Sequence, residues 1–80
     1  MSGGRRFSLR RQMAVIEYIV SKHPVTRLKL RSLLYLIDLQ AYLHLGKSIT
    51  GATYRRGKRT VIVQGLTRSI NKLRTERRIQ

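Results

Sequence analysis

The sequence predicts a single small α+β domain, with two N-terminal helices followed by a short β-hairpin and a C-terminal helix. Three observations support this fold class. Apolar residues recur at helical spacing in three separate segments. Pro24 and Gly46 stand where helices end. Strand-forming residues flank a basic, glycine-containing stretch at residues 55–59. Because 41% of the 80 residues are hydrophobic, we expect a folded core and not a disordered basic tail.

The first helix is predicted to begin after Ser8, an N-cap residue type, and to end before Pro24. Residues 1–7 are expected to form a flexible basic arm, and residues 8–80 the single binding domain. The apolar face of the helix has steps of four, three and four residues and consists of Leu9, Met13, Ile16 and Val20, with Ala14 and Ile19 widening it.

The second helix is predicted to start after Thr26 and to end at Gly46 in a left-handed C-cap. It is the most apolar segment, with a core stripe broadened by further leucines: Leu30, Leu34, Ile37 and Ala41, then Leu33, Leu36 and Leu45. One partner helix would not cover so many apolar positions. A homodimer is therefore one expected arrangement.

The hairpin is predicted from two runs of strand-forming residues around a tip at residues 55–59, with Gly51 and Gly65 at bends. The runs are Ile49, Thr50, Thr53 and Tyr54, then Thr60, Val61, Ile62 and Val63. A rival interpretation extends the last helix back to Val61. The C-terminal helix is predicted from Leu66, Ile70 and Leu73 and is expected to reach about Arg78.

Positive charge dominates the composition, with 18 Lys and Arg against 3 Asp and Glu and a net charge of +15. Such a balance predicts an anionic partner, foremost a nucleic acid or a nucleoprotein complex, with an acidic protein surface as an alternative. No apolar run approaches the ~20 residues that span a bilayer, so no membrane partner is expected. The absence of cysteine suits a cytoplasmic location and excludes thiolate metal sites.

The predicted binding residues are cations of the hairpin and the last helix, where Arg offers bidentate geometry to phosphate or guanine. They are Arg55, Arg56, Lys58, Arg59, Arg68, Lys72, Arg74, Arg77 and Arg78. Arg68 and Lys72 are one turn apart and should share a face. Tyr54 borders the basic loop, where it would stack on a base or pack on the hairpin.

Catalysis is not expected. The acids Glu17, Asp38 and Glu76 fall in three different predicted helices, so they form no obvious carboxylate pair or metal cage. Asp38 is expected to pair with a nearby Arg. His23 and His44 lie at helix ends, where a cation is favourable. We therefore predict no catalytic residue, no metal and no cofactor.

One stretch resembles a known family. The run L-K-L-R-S-L-L-Y-L-I-D followed by G-K-S-I-T-G-A-T-Y is similar to the Panacea antitoxin domain over residues 28–54. The matching residues are Leu33, Leu34, Tyr35, Asp38, Gly46, Ile49, Gly51 and Tyr54. The resemblance implies toxin neutralisation through protein contact and carriage on prokaryotic or phage mobile elements. After Arg55 the sequence is basic and departs from the family pattern.

The sequence thus predicts a non-catalytic basic module that binds nucleic acid or nucleoprotein and originates from a phage or mobile element. The first alternative is a protein-binding inhibitor that blocks a bacterial effector complex, and a ribosome-associated protein is a further one that is consistent with the composition alone. Such an inhibitor would be antitoxin-like or directed against host defence, as an anti-CRISPR is.

Overall fold

The computed structural model describes residues 6–78 and confirms the predicted α+β class and element order. Helices α1 (Leu9–Lys22) and α2 (Arg27–Leu45) precede strands β1 (Tyr54–Arg56) and β2 (Val61–Val63), and helix α3 (Leu66–Thr75) follows. The two strands pair antiparallel, so the rival interpretation, in which the last helix begins at Val61, is wrong.

The predicted boundaries of the first two helices are confirmed by their caps. The Ser8 hydroxyl accepts a hydrogen bond from the Arg11 amide at 3.2 Å, and the Thr26 hydroxyl accepts one from Lys29 at 3.1 Å. Each cap satisfies a backbone donor that the first helical turn leaves unpaired. Gly46 ends α2 with a φ of 80°, the left-handed conformation that glycine adopts without steric cost.

Helix α3 ends at Thr75, earlier than the predicted end at Arg78. Arg77 has a φ of 58°, so the chain leaves the helix through a left-handed residue. The Arg78 amide then donates to the Leu73 carbonyl at 2.9 Å, and the Arg77 amide donates to Arg74 at 3.0 Å. These are the two bonds of a Schellman motif, which closes a helix end. This helix end could not be predicted from the sequence, because the left-handed position is usually a glycine and here it is Arg77.

The first strand begins at Tyr54 and not at Ile49 as predicted. Thr50 does not pair with β2, because its amide and hydroxyl both donate to Asp38 on α2. Gly51 turns the chain with a φ of 75°, and Gly65 does so with a φ of 74°, which confirms both predicted bends.

The core lies between α1, α2, α3 and the inner face of the hairpin. Helix α1 packs on α3 and α2, and β2 packs on α2. The buried apolar side chains are Met13, Ile16, Ile19, Leu30, Leu34, Ala52, Tyr54, Val63, Leu66, Ile70 and Leu73. Ala14, expected to widen the face of α1, is exposed.

A buried polar residue, Gln12, joins the two ends of the domain. Its amide nitrogen donates to the Gln64 carbonyl at 2.8 Å, and its amide oxygen accepts from the Ser69 hydroxyl. Burial without such partners would cost about 1–3 kcal/mol for each polar group. Gln12 therefore fixes α1 against the start of α3.

The predicted basic arm lies mostly outside the described residues, which begin at Arg6. Within the described part, Phe7 packs against the core, and the next residue, Ser8, donates its amide to the Thr50 carbonyl at 2.8 Å. A Cβ at Gly65 would lie 2.6 Å from the Phe7 ring. Phe7 is thus part of the packed structure.

Candidate nucleic-acid interface

A buried carboxylate on α2 holds the chain that leads into the hairpin. Asp38 has no exposed surface, and its Oδ1 accepts hydrogen bonds from the Ile49 and Thr50 amides, each at 3.0 Å. Its Oδ2 accepts from the hydroxyls of Thr50 and Tyr54. The expected ion pair with an Arg is therefore wrong: Asp38 forms no salt bridge among residues 6–78, and hydrogen-bond donors satisfy both oxygens. We call Asp38, Thr50 and Tyr54 the Asp38 cluster.

Tyr54, the first residue of β1, packs into the core and is not positioned to stack on a base. Only 6% of its surface is exposed, its hydroxyl lies 3.1 Å from the Leu34 carbonyl, and its ring meets Tyr35 edge to face at 5.4 Å. Burial raises the pKa of the Tyr54 hydroxyl well above its ordinary value, and the hydrogen bond to Asp38 and its negative charge raise it further. Tyr54 thereby anchors the base of the hairpin on α2.

The hairpin cations follow directly from this anchor. Tyr54 pairs with Val63 on the buried face, so Arg55, paired with Ile62, lies on the outward face. Arg56 returns to the α2 side, opposite Val61. The remaining two cations occupy the tip. Arg55, Arg56, Lys58 and Arg59, which we call the hairpin cations, are all exposed, and no carboxylate of residues 6–78 pairs with them.

An open cavity of about 420 Å³ lies between the hairpin tip and the N-terminal half of α2. Its lining combines hairpin residues with two residues of α2: Arg56, Gly57, Lys58, Arg59, Thr60 and Val61, with Leu28 and Ser32. The cavity therefore presents three cations and two hydroxyl residues, Ser32 and Thr60, above a small apolar floor. This chemistry suits a phosphate group with an attached sugar.

The tip is a close turn that depends on glycine. The Gly57 amide donates to the Thr60 carbonyl at 2.8 Å, and a Cβ at Gly57 would lie 2.8 Å from the same oxygen. Lys58 and Arg59 are thus held at the two apical positions by backbone geometry.

The predicted cations of the last helix lie on a different part of the molecule. The hairpin packs on α2, whereas α3 packs on α1. Arg68 and Lys72 are both exposed and, one turn apart, share the face of α3 opposite its buried residues, as expected. Arg74 falls on another side of the helix, and Arg77 lies beyond its end. The nine predicted residues therefore divide between the hairpin, which packs on α2, and α3 with the turn that follows it, where α3 packs on α1.

Arg78 differs from the other predicted cations because it is paired. Its Nε and NH2 donate to both carboxylate oxygens of Glu17 on α1, at 2.7 and 3.0 Å, and its NH1 donates to Glu76 at 3.3 Å. The pKa of Glu17 is lowered, chiefly by the hydrogen bond from Arg78, and the pKa of Arg78 is raised in turn. Arg78 therefore ties the end of α3 to α1 and offers little free charge.

The groups considered for catalysis lie apart. Asp38 is buried among hydrogen-bond donors, and both glutamates face Arg78. His23 caps the end of α1, and His44 lies 3.2 Å from the Gln40 side-chain oxygen on α2. Within residues 6–78 no three His, Asp or Glu side chains come together as metal ligands. Over the same residues, no helix has the length and apolar character needed to cross a membrane.

Comparison with family models, with curated proteins and with solved structures gives no match to this chain. Five residues of the segment 28–54 meet in space: Tyr54 contacts Asp38, Leu34 and Tyr35, and the Ile49 amide contacts Asp38. These contacts build the junction between α2 and the hairpin.

Proposed function

We propose that this protein is a non-catalytic, cytoplasmic module that binds nucleic acid, alone or within a nucleoprotein complex, through the hairpin cations. The single observation that carries the proposal is the set of four exposed cations, unpaired among residues 6–78, on one hairpin. Bringing such charges together on a rigid ribbon costs free energy unless an anion neutralises them.

The disposition of the cations favours a polyphosphate partner over a single acidic side chain. Arg55 lies on one face of the ribbon, Arg56 on the other, and Lys58 and Arg59 at the tip. Because the inner face of the hairpin packs on α2, the outward face and the tip are the parts that can reach phosphates, with Arg56 beside them at the cavity.

In this proposal Arg68 and Lys72 are accessory contacts. Their separate position on α3 would let them reach a more distant stretch of the same backbone, together with Arg74 and Arg77. Arg78 is assigned to the fold, because Glu17 and Glu76 already hold its guanidinium.

The test measures binding of labelled duplex DNA, single-stranded DNA and RNA by fluorescence anisotropy across a salt series. The hairpin variant is Arg55→Gln/Arg56→Gln/Lys58→Gln/Arg59→Gln. The matched control removes the same charge from exposed positions elsewhere, as Arg10→Gln/Arg11→Gln/Lys22→Gln/Lys47→Gln. Both variants carry four fewer positive charges, so any difference between them reflects position.

We expect the logarithm of the affinity of the natural protein to fall linearly with the logarithm of salt concentration. The slope of the hairpin variant should be smaller by up to about 3.6, since each lost phosphate contact removes about 0.9. The control should retain most of the slope. An equal decrease of the salt slope in the two variants would overturn the assignment of nucleic-acid binding to the hairpin cations.

Negligible binding of all three nucleic acids at low salt would overturn the proposal as a whole. The alternative, a protein-binding inhibitor of the antitoxin or anti-defence type, would then be favoured. Under that alternative the hairpin cations meet an acidic protein surface, and capture of the target from a lysate survives nuclease treatment.

A further inference from the structure

A second surface of the molecule, on helix α2, carries almost no charge, in contrast to the basic hairpin. Residues 32–46, most of α2, contain no Lys or Arg, although the whole chain has 18. The one carboxylate in this stretch, Asp38, is buried on the inner side. The outer side of the C-terminal half of α2 therefore presents apolar side chains with His44 as the only ionisable group besides tyrosine.

These apolar side chains are outside the core. Leu36 is 50% exposed and Leu43 66%, and neither they nor Leu39 belong to the packed cluster of residues 6–78. Leu36, Leu39 and Leu43 are spaced three and four residues apart, which is the pattern of a helix that packs on another helix. This face of α2 is therefore not covered by the core, and its leucine spacing is typical of a helix–helix interface.

The surface has a ridge beside a groove. The ridge consists of Leu39 and Leu43. The groove is a shallow, open apolar depression with a volume of about 500 Å³, lined by Leu36, Ile37, Gln40, Ala41, His44, Leu45 and Ile49. Leucine side chains from a facing helix would fill such a groove.

We propose that a second copy of this chain occupies the α2 surface and forms a two-fold symmetric dimer. The ridge of each copy would lie in the groove of the other, because a two-fold interface must be complementary to itself. The charge distribution supports a second copy as the occupant. Two chains of net charge +15 repel each other over most of their surface, and this face is the region where they can approach without opposing cations.

The size of the surface also fits. Leu36, Leu43, Leu45 and Ile49 alone expose roughly 400 Å² per protomer, and the exposed Gln40 and His44 add to this, so a symmetric pair would bury about 1,000 Å², the lower bound for a specific interface. The nearest cations along the chain, Arg31 and Lys47, flank the segment and would lie at the interface edge, where solvent and salt screen them. This proposal does not rest on nucleic-acid binding.

The test is sedimentation equilibrium of the full chain over a wide concentration range, at about 0.5 M salt to screen the repulsion between copies. The natural protein should change from its monomer mass of 9.3 kDa to twice that mass as its concentration rises. A mass that stays at the monomer value up to the highest soluble concentration would overturn the proposal.

The variant Leu43→Gln/Leu45→Gln changes the ridge and the groove without changing the charge. It should raise the dissociation constant of the dimer at least about tenfold, since central apolar contacts dominate interfaces. The matched control, Leu28→Gln/Ile62→Gln, alters two similarly exposed residues elsewhere and should leave the constant unchanged. An equal change of the dissociation constant in the two variants would contradict the assignment of the α2 surface as the dimer interface. If the double variant does not fold, Leu43→Ser alone makes the same comparison.

Discussion

The Asp38 cluster and the hairpin cations are two polar regions that adjoin at strand β1. They differ in whether groups of the domain itself pair with their polar atoms. In the Asp38 cluster both carboxylate oxygens accept hydrogen bonds from groups inside the domain. A few residues later the hairpin cations meet no carboxylate among residues 6–78. The satisfied groups build the fold, and the unsatisfied charges remain for a partner.

Tyr54 connects the two regions and makes one depend on the other. Its hydroxyl belongs to the Asp38 cluster, while its backbone begins the strand that continues into Arg55 and Arg56. Changes in the Asp38 cluster should therefore act mainly on stability, and changes at the hairpin cations mainly on binding. The following substitutions test this division.

The largest effect is expected for Asp38→Ala. The substitution removes the shared acceptor of one buried amide, one part-buried amide and the buried Thr50 and Tyr54 hydroxyls, which should lower the free energy of unfolding by about 3–5 kcal/mol. Urea unfolding followed by circular dichroism measures the loss. The control is Ser32→Ala, an exposed position on the same helix, which should change stability by less than about 0.5 kcal/mol. Similar stability of the two variants would contradict the role assigned to the Asp38 cluster.

A smaller loss of stability is expected for Tyr54→Phe, about 1–3 kcal/mol, because Asp38 loses one donor while the ring remains packed. The pKa of Tyr54 is raised in the folded state, so its contribution is complete below the ordinary tyrosine pKa near 10 and declines as the pH rises above it. The natural protein should thus lose stability between about pH 10 and 12 more steeply than Tyr54→Phe.

Thermal melts across that pH range make the comparison, with Tyr18→Phe as the control because Tyr18 is 64% exposed. Parallel pH profiles for the natural protein and Tyr54→Phe would show that Tyr54 is not the titrating group.

The smallest effect on stability, about 1 kcal/mol, is expected for Gly57→Ala, which distorts the tip but keeps every cation. The added methyl group meets the Thr60 carbonyl, so the turn that holds Lys58 and Arg59 must open. Nucleic-acid affinity measured by anisotropy should fall severalfold while the salt slope is retained. Unchanged affinity would mean that charge, and not the geometry of the tip, determines binding.

The parts of the fold that could be predicted are those specified by local chemistry. Ser8, Thr26 and Gly46 determine helix ends through their own side chain or backbone freedom, so short windows of sequence were sufficient. The strand Val61–Val63 likewise followed from β-branched residues.

The parts that failed depend on contacts between distant residues. Thr50 has strand propensity, but Asp38, twelve residues earlier, binds its amide and hydroxyl. Gln12 carried no signal in the sequence, because its partners Gln64 and Ser69 lie more than fifty residues away. The pairing of Arg78 with Glu17 was missed for the same reason.

The candidate interface was predicted as a set of residues but not as an arrangement. All four hairpin cations were identified, since a run of charges is visible in the sequence. The sequence did not predict that Arg68 and Lys72 lie apart from these cations, because that follows from α3 packing on α1 while the hairpin packs on α2.

The packing of α1 on α3 also has a consequence for biosynthesis. Helix α1 leaves the ribosome before the groups that hold Gln12 and Glu17, because those groups belong to residues 64–78. The hydrogen bonds that join α2 to the hairpin segment, by contrast, connect residues only 11–20 positions apart. During translation the nascent chain therefore presents an amphipathic α1 without its main partner until α3 emerges, whereas the bonds between α2 and the hairpin segment can form earlier.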